Sequence, residues 1–113
     1  MVIVSLWVNV VVLLPVVLGL LLGARWCEDA YGPRHPARGI LLATYAAILV
    51  LSAGLLGCGD PRWAVGLLLM QVLYKVMTPW TVGSWRHPVV LSNLAIAALH
   101  GVTLTVALGA YAP

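Results

Sequence analysis

The chain of 113 residues is poor in charge: only 8% of it is Asp, Glu, Lys or Arg, where water-soluble domains carry about 25%. Together with 63% hydrophobic residues and a mean hydropathy of +1.06, that scarcity excludes an ordinary soluble globule and a disordered chain alike. Acidic residues are rarer still. Glu28, Asp29 and Asp60 all fall in the polar stretches between apolar runs, so the runs hold no carboxylate of the kind that proton- or cation-coupled transport places in the membrane. The nucleophile and metal motifs of hydrolases, such as GxSxG and HExxH, are also missing. Cys27 and Cys58 lack CxxC or Cys/His spacing and are too few for a disulfide framework, so both read as chemically bland. The basic residues Arg25, Arg34, Arg38, Arg62, Lys75 and Arg86 are scattered rather than run together, which leaves no stripe for nucleic acid.

What remains is apolar sequence long enough for about four crossings of a bilayer, each needing about 20 residues. The first span covers residues 2–23. It opens without Lys or Arg and is too long for a signal-peptide core, so it reads as a retained span, with a kink expected at Pro15. Residues 24–38 (ARWCEDAYGPRHPAR) form an interfacial loop, broken by Pro33 and Pro36 and anchored by Trp26 and Tyr31. The second span covers 39–57. Cys58-Gly59-Asp60-Pro61 follows as a tight turn in which Asp60 caps the next helix and Pro61 occupies its first turn. The third span runs over 62–78 and is stopped by Pro79; at roughly 24 Å it is short for a bilayer unless it tilts, thins the bilayer or continues past Pro79. Trp80 to His87 connects it to a fourth span over 88–110. The expected fold is therefore all-α, a single integral membrane four-helix bundle with short loops.

Orientation follows from the basic residues. Arg25, Arg34 and Arg38 precede span two, and Lys75 and Arg86 flank the connector after span three, whereas the opposite side has Arg62 alone. This bias places both loops in the cytoplasm and both termini outside. Cys27 and Cys58 then face opposite sides and cannot pair.

Polar residues within the spans are the candidates for chemistry, because each is costly in hydrocarbon without a partner. Gln71, Tyr74, Lys75 and Thr78 share one face of span three, and Asn93, His100 and Thr103 share one face of span four. Gln71, Asn93, Tyr45 and Thr44 lie roughly 8–10 Å from the cytoplasmic ends of their spans, and His100, Ser52 and Asn9 roughly 18–21 Å. The first layer reads either as hydrogen-bonding glue between helices, with Lys75 snorkelling to the interface, or as a cavity. As a cavity it would use Gln71, Tyr74, Lys75, Asn93 and Tyr45 to bind a headgroup, quinone or anion. His100 reads as a neutral imidazole bonded to a carbonyl, Asn9 or Ser52, or else as an axial ligand to haem or a chlorophyll-type pigment, with Gly101 leaving room for the macrocycle.

In size and span number the chain resembles the small multidrug-resistance transporters, but those depend on a glutamate in the first span, which has none here. In size and layout alone it resembles the DoxX-like group of four-helix membrane proteins. Ala43, Ala46, Ala47, Ala53, Gly54 and Gly57 on span two, and Ala95, Ala97, Ala98, Gly101 and Ala107 on span four, allow close helix approach. The expectation is a small non-catalytic accessory or assembly subunit of a larger membrane complex, docking through these faces and through Trp80 and Trp85. The alternatives are a binding or transport module for a small molecule, lipid or quinone, acting as a homo-oligomer, and a haem- or pigment-binding subunit. The Ala/Val/Leu/Gly/Arg usage suggests a bacterial inner membrane.

Overall fold

The structure is a computed structural model that describes residues 1–58 and 60–111. Among them the chain forms five helices and no strand: α1 (Val2–Leu22), α2 (Arg25–Tyr31), α3 (Pro36–Cys58), α4 (Pro61–Val82) and α5 (Pro88–Tyr111). All but α2 are long and apolar enough to cross a membrane, as four spans require. Two compact units are present. One joins Met1–Ser5 to α4 and α5; the other, Leu6–Cys58, holds the rest of α1 with α2 and α3.

Helix α1 runs unbroken through Pro15. It ends at Leu22 because Gly23 adopts φ +69°, a left-handed conformation that costs glycine little. The Ala24 N–H then reaches back to the Gly19 carbonyl at 2.9 Å, the six-to-one closure that satisfies a helix end. The expected interfacial loop needs correction, since residues 25–31 form α2 and α3 begins at Pro36 rather than Gly39. The start of α3 has a local cause. Proline is well suited to the first helical position, and the His35 Nδ1 just before it accepts the Arg38 N–H at 3.3 Å, satisfying one of the donors a helix start leaves open. The same device opens α5, where His87 precedes Pro88 and its Nδ1 accepts the Val89 N–H at 3.2 Å.

The third span also differs from expectation, because α4 continues past residue 78 to Val82. Pro79 has no N–H for the Lys75 carbonyl, the usual reason for a break. The Thr78 hydroxyl donates to that carbonyl at 2.6 Å instead, so no buried acceptor is stranded and the helix continues, a repair suited to a membrane. Gly83, at φ +81°, ends it with its N–H on the Pro79 carbonyl. The connector is thereby shortened to 83–87. At the other end Asp60 caps α4, its carboxylate accepting the Arg62 N–H at 3.0 Å. Gly59 of the expected turn lies outside the described residues.

In the first unit α4 and α5 pack closely as a hairpin. Their buried positions recur every three or four residues: Ala64, Leu68, Gln71 and Lys75 on α4, and Val90, Asn93, Ala97, His100, Leu104 and Ala107 on α5. Such a seam of small, medium and polar side chains suits a bilayer. Lipid tails offer no hydrophobic drive for helix pairing, so contact and hydrogen bonding must supply it.

Candidate functional site

Gln71, Lys75, Asn93, His100, Thr103, Asn9 and Ser52 lie on buried faces, whereas Thr44 of the expected first layer is exposed, its hydroxyl donating to the Ile40 carbonyl of its own helix at 3.0 Å. In the α4–α5 hairpin the Lys75 Nζ donates to Asn93 Oδ1 at 2.9 Å, and both side chains are buried, Lys75 with 4% of its surface exposed. The ammonium also stands 5.0 Å from the centre of the Tyr74 ring, within the range of a cation–π contact. This corrects the picture of a snorkelling lysine. With α4 extended to Val82, Lys75 lies about seven residues, roughly 10 Å, from the helix end, and its head turns inward to Asn93. Gln71 is buried one turn away on the same face. The structure thus brings Lys75, Tyr74 and Asn93 together with Gln71 nearby, while Tyr45 belongs to the other unit. There its ring meets that of Tyr31 edge-on, with centroids 6.0 Å apart.

The second polar layer is also laced. Thr103 Oγ1 donates to the Leu99 carbonyl at 3.1 Å and lies 2.6 Å from Ser5 Oγ. Since Thr103 has one proton and directs it to the carbonyl, Ser5 is the donor of the shorter bond. Asn9 Nδ2 donates to Ser52 Oγ at 3.1 Å, tying α1 to α3. His100 is fully buried, at 0% exposure. Gly101 has open space beside it, but it points about 100° away from His100 around the helix, so that space does not open the imidazole to a macrocycle.

In the sequence the arginines of residues 24–38 read as orientation signals, and the structure gives two of them a further place. Arg38 is a charged side chain with 4% exposure. Its Nη1 donates to the Gly32 carbonyl at 2.9 Å and its Nη2 to the Leu20 carbonyl at 3.3 Å. Arg34 Nη2 donates to the Leu21 carbonyl at 2.9 Å. The two guanidiniums therefore close the last turn of α1, where open carbonyls carry partial negative charge. Beside them is a cavity of about 170 Å³ lined by Leu20, Arg34, His35, Arg38, Gly39 and Leu42. The signal available in the sequence was the density of Arg and His over 34–38 immediately before an apolar run.

Cys27, on α2, is fully buried, its Sγ 3.9 Å from the Val16 carbonyl. Burial pushes the thiol pKa up from its ordinary value, and the charge of Arg38 opposes this more weakly, which fits an inert thiol. Among the described residues no three His, Cys, Asp or Glu side chains are grouped to hold a metal ion. No family model, curated protein or solved structure matches the chain.

Proposed function

We propose that this protein is a non-catalytic accessory or assembly subunit of a larger complex in a bacterial inner membrane, with both termini outside the cytoplasm. The observation that carries this reading is the outward surface of α3. Ala43, Ala47 and Gly54 are exposed at spacings of four and seven residues, on the same face as exposed Ile40 and Val50, and such small-residue faces are where membrane helices approach most closely. The polar groups of the spans turn toward one another instead. Lys75 bonds Asn93, Ser5 bonds Thr103 and Asn9 bonds Ser52, an arrangement that favours structure over chemistry. Trp80 and Trp85 stack edge-on at 5.2 Å, exposed by 71% and 58%. They offer aromatic anchors at the membrane boundary.

The test is purification of the tagged full-length chain in mild detergent, with mass spectrometry of what accompanies it and an absorbance scan. Stoichiometric larger membrane polypeptides, lost when Ala47 and Gly54 are replaced by Leu, are the expected result. A colourless homo-oligomer without partners would sink the proposal. It would favour the second reading, a module binding a small molecule, lipid or quinone at Lys75, whose buried cation faces a neutral amide rather than a carboxylate. Absorbance that disappears in His100→Ala would instead point to haem or a chlorophyll-type pigment.

A further inference from the structure

We infer that the cavity at the start of α3 is a binding site for a phosphate-bearing anion, with the headgroup of an anionic phospholipid as the source that best fits its surroundings. Arg38 is buried, yet its hydrogen-bond partners are the carbonyls of Gly32 and Leu20, not a carboxylate. Among the described residues the ion pair is that of Arg62 with Asp60, on the exposed cap of α4. Carbonyl dipoles offset part of a buried cation's desolvation and leave its net charge uncompensated.

A second guanidinium, that of Arg34, lines the same cavity, as does the imidazole of His35. Arg34 spends one of its five N–H donors on a backbone carbonyl of α1, and Arg38 two, one on α1 and one on Gly32, so donors remain for planar, charge-assisted contact with phosphate oxygens. The first turn of α3 adds the positive end of a 23-residue helix. Size and depth narrow the choice further. About 170 Å³ is the room of several waters at about 30 Å³ each, ample for a phosphate group and well below the 300–1,000 Å³ usual for drug-sized ligands. The basic groups lie between the last turn of α1 and the first turn of α3, at the ends of two helices long and apolar enough to cross a membrane, and the ends of spanning helices are where headgroups are met. Leu20 and Leu42 line the apolar side of the cavity, suited to the glycerol and upper acyl chain of a lipid and of no use to a free ion.

Native mass spectrometry of the full chain in mild detergent, titrated with phosphatidylglycerol, tests the site, with inorganic phosphate as a separate competitor. One lipid should be retained, and Arg34→Gln should weaken retention about tenfold, the size of one charge-assisted hydrogen bond. Arg38→Gln should weaken it further. Because both arginines also cap α1 and their variants can fail to fold, His35→Gln, whose amide oxygen can still accept the Arg38 N–H, serves as a further cavity-lining change, expected to reduce retention severalfold. Arg25→Gln, an arginine outside the cavity, should leave retention unchanged. Millimolar phosphate that displaces the lipid would make a soluble phosphate compound the natural source; phosphate without effect would make it the lipid. Equal retention by wild type, Arg34→Gln and His35→Gln, or an equal loss in Arg25→Gln, would overturn the site.

Discussion

Lys75 and Asn93 show how one side chain's environment decides what another can be. A buried ammonium keeps its place only while an acceptor faces it, so Asn93→Ala should destabilise the protein by about 1–3 kcal/mol, read as a lower midpoint in SDS-induced unfolding. Replacing both residues, Lys75→Met with Asn93→Leu, should restore much of the loss, because removing the charge removes the need for the acceptor. A double variant weaker than Asn93→Ala would mean that the pair contributes more than mutual satisfaction. At the opposite end of α4, the exposed Asp60 carboxyl is held below its ordinary pKa, first by the hydrogen bond from the Arg62 side chain and then by that from the Arg62 N–H. A lowered pKa in the folded state means that the cap stabilises above the unfolded carboxyl's pKa and is lost as pH falls through the lowered one. Protection of amides 62–64 from hydrogen exchange should therefore fall in that acid range, and Asp60→Ala should lower it already at neutral pH. The cap was legible from Asp60-Pro61. The inward turn of Lys75 was not, because rotamer and partner depend on the register of α4 against α5.

At the scale of elements, the helix boundaries were readable where a residue's backbone needs decide alone, as with Gly23, Pro61 and Pro88. They were unreadable where a neighbour compensates, as when the Thr78 hydroxyl serves the carbonyl that Pro79 abandons. The hidden element was α2, too short to show a periodic face. It sits against α1 where a Cβ on Gly19 would lie 2.6 Å from Cys27 Sγ and 2.8 Å from the Trp26 ring, closer than packed atoms allow. Gly19→Ala should thus push α2 off α1 at a cost of about 1–3 kcal/mol. In a Cys58→Ser background the signature is a Cys27 thiol, silent in the parent, that reacts with a water-soluble maleimide. An unreactive thiol would show that α2 is seated by other contacts.

For the molecule as a whole, the number of spans and the all-helical class were legible because hydrocarbon admits few alternatives to the helix. The cavity at Arg34 and Arg38 was only half legible, since the density of Arg and His over 34–38 marks a basic segment without showing that two of its arginines fold back onto one helix end. The extension of α4 also removes Lys75 from the loop charges, leaving Arg25, Arg34, Arg38 and Arg86 against Arg62. That bias still predicts a cytoplasmic connector. In a Cys58→Ser background, Ser84→Cys should react with an impermeant thiol reagent in inside-out vesicles and be shielded in right-side-out ones; the reverse pattern would invert the topology.

The hydroxyl bond between Ser5 and Thr103 has a consequence in time. Its partners are 98 residues apart, so at about 5–20 residues per second the ribosome needs roughly 5–20 s after making the first to deliver the second. Throughout that interval Ser5 is already synthesised, yet its permanent acceptor does not exist. Until α5 arrives the Ser5 hydroxyl must be kept company by water, by the insertion machinery, by a substitute helix or by a carbonyl of its own helix, and only then can this bond close.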